Sequence, residues 1–411
     1  MECGRNASPI GPYDITAIPV DPTGKLGNYS VTLNKGKLTI TQAPLTVTPA
    51  NASRLYGDAN PAFTGTITGI KNGDNITANY STSATTGSPI GTYAITATLN
   101  DSTNKLGNYT VTLNSGTLTV NPAPLTVTPA NASRSYGSAN PALTGVIVGI
   151  KNGDPITASY GTTATQSSNI GTYDITATLS DPGNKLGNYT VTLNKGTLTI
   201  NPAQLTITAD KKSKFLNAAN PPLTATYSGF VLGQGPSSLS GTLSCTTTAT
   251  TNSPVSSSPI NCSGQTSTNY AITYVSSTLT ITYVTAGMCA GDVGHQVRQP
   301  INTDGSSVFK MGSTVPTKFA VCDANGASIG TPGVVTGYGL VAAASSPNIT
   351  VDEDVYSTTP DTAFRWDPTG QQWIFNQSTK NNGTLNKTGV TYFFAINLND
   401  GSSIFFQYGL K

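Results

Sequence analysis

The segment Gly171-Thr172-Tyr173-Asp174-Ile175-Thr176-Ala177-Thr178-Leu179 alternates apolar and polar residues without interruption, and 80 residues earlier the chain reads Gly91-Thr92-Tyr93-Ala94-Ile95. A period of two is that of a strand with one face on a core and the other in water. The same step carries Gly11-Pro12-Tyr13-Asp14-Ile15 onto Gly91, Leu26-Gly27-Asn28-Tyr29 onto Leu106-Gly107-Asn108-Tyr109 and Leu186-Gly187-Asn188-Tyr189, and Asn60-Pro61 onto Asn140-Pro141 and Asn220-Pro221. Leu45, Leu125 and Leu205 open Leu-Thr-Val/Ile-Thr runs at the same interval. A unit of this size can hold a small core of its own, so the array reads as a string of beads.

Within a unit, Leu125–Thr128, Tyr173–Leu179, Tyr189–Leu193 and Leu198–Ile200 read as strands, and Asn194-Lys195-Gly196 reads as a hairpin loop between the last two. Ile150–Ile156 predicts a turn and at most one helical turn, starting at Asp154 with Pro155 as its first residue. Residues 1–42 match only the second half of a unit, and such a half with open strand edges is expected to be disordered or to pair wrongly. Full units follow at 43–122 and 123–202, and a divergent one at 203–284, where Phe215-Leu216 stands for Tyr56-Gly57 and Tyr136-Gly137 and Ser256-Ser257-Ser258 for Gly-x-Tyr. In that unit Cys245 and Cys262 fall near the small residues Ala164 and Ala177 of the regular copy. Short junctions such as Asn121-Pro122-Ala123-Pro124 predict a semi-rigid rod. From about residue 285 the period ends, and short strands around Val308–Gly326, Ala363–Trp366, Gln372–Phe375, Val390–Ile396 and Ser403–Tyr408 predict a β-sandwich over 285–411.

Composition agrees with a mainly β chain. Only 10% of the 411 residues are charged, against about 25% in an ordinary globular chain, and Gly (42) and Pro (26) are abundant. A net charge of +2 with no basic stripe argues against nucleic acid or anionic membranes as partners. No window approaches the roughly 18 apolar residues of a membrane span. The first residues carry no apolar signal-peptide core, so either export is encoded upstream of Met1 or the chain stays inside the cell.

The pattern Tyr-Gly…Asn-Pro…Asn-Gly-Asp…Gly-Thr-Tyr-x-Ile…Leu-Gly-Asn-Tyr, strongest at Tyr56, Gly57, Asn60, Pro61, Gly73, Asp74, Gly91, Tyr93, Asn108, Tyr109, Gly116 and Leu118, resembles the MBG repeats of bacterial surface and secreted proteins. The resemblance covers residues 1–284 and implies tandem small modules of β-grasp-like form, with an Ig-like sandwich as the alternative. Residues 285–411 resemble the PxKF module, through Pro316-Thr317-Lys318-Phe319.

The five cysteines fit two bridges inside single modules, Cys245–Cys262 and Cys289–Cys322, with Cys3 left over, as in an exported protein. His295 near Asp292 and Cys289 fits no zinc spacing and reads as a surface histidine in a linker. Asp352-Glu353-Asp354 with Asp361 is the one acidic cluster that could take calcium, but without the loop pattern of a calcium site it reads as a solvated loop. Asp74 and Asp154 read as turn residues, and the repeated tyrosines as core or junction residues rather than a sugar-stacking stripe. No nucleophile–base pair or carboxylate dyad can be nominated, and no cofactor or metal site is expected. The reading is a secreted or cell-surface, non-enzymatic stalk that spaces and displays binding modules. Its alternative is an adhesin with a glycan- or protein-binding surface in the C-terminal module.

Overall fold

The computed structural model describes residues 8–345, 360–380 and 383–411. Cys3 and the Asp352–Asp354 cluster lie outside the described residues. By its contacts the chain divides into two compact units, one of Met1–Arg134 with Ser138–Asn201 and one of Ser135–Gly137 with Pro202–Lys411. The fold is almost entirely β, and helical geometry among the described residues is confined to single 3-10 turns. Among them no helix is long and apolar enough to cross a membrane.

Each repeat is a pair of small facing sheets, the sandwich form of the two module architectures the sequence suggested. In the first, Gly65–Thr68, Ala43–Pro49 and Tyr109–Leu113 make a three-stranded sheet, and Ala52–Leu55, Gly116–Asn121, Gly91–Asp101 and Ile76–Thr82 a four-stranded one. Residues 123–201 repeat this order strand for strand, and so do 203–282 in the second unit. Alternation places Leu45, Val47, Ile95, Leu118 and their copies Leu125, Val127, Ile175, Leu198 between the sheets, fully buried, while the intervening threonines face outward.

Three local expectations are corrected. Asn194-Lys195-Gly196 is not a hairpin, because Tyr189–Leu193 pairs in parallel with Ala123–Pro129 in one sheet while Gly196–Asn201 pairs with Gly171–Ser180 in the other. The chain crosses the sandwich there, tied down by Asn194 N–H donating to Val127 O at 2.9 Å. Gly196 serves close approach rather than positive φ, since a Cβ would stand 2.9 Å from Pro129 O. The helical turn falls at Leu186–Asn188, inside the Leu-Gly-Asn motif, whereas Lys151–Asp154 forms a plain turn in which Asn152 and Gly153 both have positive φ. The incomplete leading repeat is also not mispaired: Gly11–Ile15 meets Gly36–Ile40 in the register Gly11↔Ile40, matching Gly91↔Val120 and Gly171↔Ile200. Two adjacent strands carry their own register through matched alternation, and need no complete sandwich to find it.

In the second unit, strand register puts Leu216 and Asn217, rather than Phe215 and Leu216, at the places of Tyr136 and Gly137, because Lys212–Phe215 pairs with Leu279–Thr282 as Ala52–Leu55 pairs with Leu118–Asn121. It also puts Cys245 opposite Cys262 where Tyr160 stands opposite Ala177, so Cys245 takes the place of a tyrosine and not of Ala164. The C-terminal module is a sandwich of two four-stranded sheets, Val297–Arg298, Thr314–Phe319, Gln372–Ser378, Arg365–Asp367 against Val308–Phe309, Ser403–Leu410, Val390–Leu398, Val335–Ser345. Phe309, Phe319, Trp373, Tyr392, Ile396 and Tyr408 fill it. Its strand Val335–Ser345 has no counterpart in the sequence reading, because irregularities at Val335/Gly337 and Leu340/Ala342 break the alternation.

Candidate functional site: the seam between repeats

The signature dipeptide Tyr56-Gly57 of the first repeat ends the strand Ala52–Leu55, with Tyr56 N–H donating to Asn121 O at 2.8 Å. Its side chain leaves its own repeat. The Tyr56 hydroxyl donates to the Asp154 carboxylate at 3.0 Å, and the Tyr189 hydroxyl donates to the same carboxylate at 2.6 Å. The two rings stand edge to face, 5.5 Å apart. Tyr56, Asp154 and Tyr189 are all buried, at 1%, 9% and 7% exposure. Burial and the bond to Asp154 push the Tyr189 phenol up to about 12.

Around this buried triad the seam is reinforced at its rim. Lys151 Nζ pairs with Asp58 at 2.9 Å, Asn152 Nδ2 donates to Thr86 O at 3.2 Å, and Ile90 N–H donates to Asn188 Oδ1 at 3.0 Å. The rim pair is exposed and contributes little energy, while the triad is desolvated and geometrically fixed. Gly57 has φ +81, and a Cβ there would stand 2.4 Å from Lys151 Cβ, so only glycine lets the two repeats close. One apolar core runs through the seam, joining Tyr56, Leu118 and Val120 to Ala123, Leu125, Ile156 and Tyr189. The junction Asn121-Pro122-Ala123 is therefore a passage from strand to strand inside a packed body and not a free linker.

The second unit contains the same device with altered chemistry. The Tyr136 hydroxyl accepts from Gln234 Nε2 at 3.0 Å, the Tyr270 hydroxyl donates to Gln234 Oε1 at 2.6 Å, and the rings stand edge to face at 5.7 Å. Here Gly137 faces Val231, whose Cγ2 would lie 2.3 Å from a Cβ. Further along, Leu216 packs against the core of the C-terminal module, Ala324 N–H donates to Leu216 O at 2.9 Å, and Asn217, at φ 64, donates to Asp323 Oδ2 at 2.7 Å. Against the upward push of burial, the bonds from Asn217, Ala327 and Asn325 hold the Asp323 carboxyl below its usual range.

Asp154 is thus more than a turn residue, since it receives two phenols. The sequence reading missed a second recurring group, the buried cation at 54, 134 and 214. Arg54 Nε donates to Asn60 Oδ1 at 2.7 Å, its other nitrogens bond Leu55 O and Thr85 O, and Asn60 Nδ2 donates to Ala84 O at 2.7 Å. The Asn-Pro motif is in this way pinned to its own repeat. Lys214 does the same work in the third repeat, on Ala218 O and Thr250 O, and burial lowers its pKa. The 80-residue spacing of Arg54, Arg134 and Lys214 was the available signal.

The remaining candidates are placed as follows. Cys245 is bonded to Cys262 and Cys289 to Cys322, with Cα separations of 4.0 and 5.5 Å. His295 does not sit in an exposed linker: it is half-buried in the C-terminal module, with Nε2 2.8 Å from Ser402 Oγ. Asp292 pairs with Arg298 at 3.6 Å, and Asp361 accepts from Asn376 N–H at 2.9 Å and pairs with Arg365. Among the described residues no three His, Cys, Asp or Glu side chains converge as metal ligands. The C-terminal module carries an open cleft of about 710 Å³ walled by Phe364, Arg365, Trp366 and Tyr338.

The family model described as MBG domain (YGX type) matches residues 45–119, 125–199 and 205–280, together more than half of the chain. No curated protein sequence matches it. Among solved structures, the chain is similar to the protocadherin gammaB4 extracellular domain, with 10% identity over 92% of this chain and 69% of that one and a TM-score of 0.21. It is similar to Drosophila N-cadherin EC1-4, with 9% identity over 88% and 100% and a TM-score of 0.17. For domains 4-9 of the surface layer protein SbsC the values are 12% identity, 93% and 68%, and a TM-score of 0.17. At such scores the strand topology above, and not these likenesses, defines the fold.

Proposed function

The chain belongs to the MBG domain (YGX type) family, and from that premise we propose that it is a non-enzymatic, extracellular repeat protein whose docked modules space and display the C-terminal module. The observation that carries this reading is the Tyr56–Asp154–Tyr189 triad, a buried hydrogen-bonded lock between successive repeats. A polar group buried without a partner costs on the order of 1–3 kcal/mol, so the two repeats hold their mutual orientation to keep these groups satisfied. The polar groups buried in the repeats are turned on one another and on the backbone rather than toward a cavity, which supports a structural role. Two disulfides support an oxidising, extracellular setting. Residues 285–411 are read as a PxKF-type module, whose Pro316-Thr317-Lys318-Phe319 lies in a central strand with Pro316, Thr317 and Phe319 buried.

The test is a distance distribution measured by pulsed electron resonance on the full chain. Spin labels are placed at the exposed threonines 98 and 178, equivalent positions in the first two repeats, each replaced by cysteine, with Cys3 replaced by serine so that the remaining native cysteines are those of the two bridges. The expected result is one narrow peak that broadens in the Tyr56→Phe, Asp154→Ala double variant. A distribution as broad as that of a flexible linker in the unaltered chain would overturn the reading.

A further inference from the structure

We propose that the C-terminal module binds an extended, uncharged peptide, which adds as a strand along Val335–Ser345 and sets one aromatic side chain into the cleft beside it. The proposal goes beyond spacing and names what the displayed module holds.

The edge comes first. Val335–Ser345 is the last strand of its sheet, and among the described residues it pairs with Val390–Leu398 alone. An edge strand is ordinarily blunted by a charge or a proline, yet these eleven residues contain neither. Its two irregularities fall at Val335/Gly337 and Leu340/Ala342, so residues 337–340 pair evenly and present a regular edge between them. Val341 is 61% exposed, and a Cβ at Gly339 would meet nothing within 4 Å, so no side chain stands over this edge.

The cleft is a second, independent observation. Its volume is about 710 Å³, and it opens between the last strands of the two sheets, with residues 335–338 on one side and 362–366 on the other. Tyr338, Phe364, Trp366 and Phe375 wall it with half-buried rings, Tyr338 and Phe364 standing edge to face at 5.3 Å. These walls are set in advance. Trp366 lies 5.7 Å from Trp373 and flush on Gly330, where a Cβ would stand 2.2 Å from Trp366 Cε2, and Trp373 Nε1 donates to Ile329 O at 2.9 Å.

Edge and cleft share residues 335–338, and this juxtaposition selects the occupant. Side chains of a strand alternate between faces, and directly opposed residues share a face. A residue added opposite Tyr338, whose ring packs on Phe394 and Phe406 inside the sandwich, therefore points between the sheets and into the cleft. Main-chain bonds along the edge supply affinity and the ring-lined cleft supplies specificity, best answered by another aromatic ring. Arg365, the one charged residue lining the cleft, already pairs with Asp361 at 3.4 Å, so the occupant needs no charge of either sign. A saccharide could stack on the rings but would leave the edge backbone unanswered.

The experiment pans a phage library of random nonapeptides against the immobilised full chain and subtracts those that also bind its Trp366→Ala variant. Enriched sequences are expected to carry one aromatic residue at a fixed place in an uncharged stretch. In a synthetic peptide of that sequence, replacing the aromatic residue by alanine should weaken binding at least tenfold. Of two further versions, N-methylated at odd or at even residues, one should lose binding at least tenfold and the other keep it, because a strand bonds each neighbour through alternate residues. Amide exchange within residues 337–340 of the unaltered chain should slow at least tenfold on binding, a readout that needs no variant of the protein. Absence of enriched peptides, equal binding by both methylated versions, or capture of glycans from an array in place of peptides would overturn the proposal. Spin-label distances between the first two repeats do not depend on any of these outcomes, so failure here is distinguishable from failure of the spacer reading.

Discussion

Gly57 and Gly73 both carry positive φ, +81 and +68, yet they sit in different surroundings. A Cβ at Gly73 meets nothing within 4 Å, so Gly73→Ala bears only the backbone strain of about 1 kcal/mol. At Gly57 the same methyl would lie 2.4 Å from Lys151 Cβ and 2.9 Å from its Cδ. The side-chain end can move but the Cβ cannot without shifting the repeat, and overpacking of this kind costs roughly 1–3 kcal/mol more. Gly57→Ala is therefore expected to cost at least about twice as much as Gly73→Ala in chemical denaturation, and to loosen the seam. Equal costs would show that backbone strain alone explains the Tyr-Gly signature. The dipeptide was conspicuous in the sequence, but its purpose was not, because the partner of Tyr56 lies 98 residues away and in a different repeat. Asn-Gly-Asp read as a turn because the first two residues do make the turn; the carboxylate that follows is aimed at a neighbour that local pattern cannot reveal.

At the scale of elements, alternation located most strands and the side of each that is buried, since a period of two needs only local information. It did not assign strands to sheets. Tyr189–Leu193 and Gly196–Asn201 are separated by two residues and look like a hairpin, but the first pairs in parallel with Ala123–Pro129 and the second lies beside Ala132–Ser135 in the other sheet. What holds the loop segments between sheets is the buried cation. Arg54 is 7% exposed, has no carboxylate partner among the described residues, and serves Leu55 O, Thr85 O and Asn60 Oδ1. Arg54→Met would keep the packing of the stem and strand three acceptors, a loss of about 2–4 kcal/mol. Arg54→Lys should cost clearly less, because Lys214 already fills the equivalent place with three carbonyl bonds, to Ala218, Thr250 and Thr251. Both are read from denaturant midpoints of the full chain, and a methionine variant as stable as the lysine variant would refute the role given to these bonds.

For the molecule as a whole, the cysteines divide the two compact units unequally. Both bridges belong to the unit containing Pro202–Lys411, and the other unit has no cysteine among its described residues. Cys245–Cys262 joins directly opposed residues of neighbouring strands at a sequence separation of 17, and Cys289–Cys322 closes a separation of 33. In the chain-entropy account, each such closure contributes on the order of 3 kcal/mol by restricting the unfolded state, more for the longer loop. The repeats of the other unit must instead rely on burial and on the Tyr56–Asp154–Tyr189 lock. Calorimetry of the full chain should show two transitions, assignable by hydrogen exchange during heating. Adding a phosphine reductant should lower the one belonging to residues 202–411 by several degrees and leave the one belonging to residues 43–201 in place. A common downward shift of both transitions would show that the units unfold as one cooperative body, and an unmoved pair would show that the bridges restrain chain that is already ordered without them.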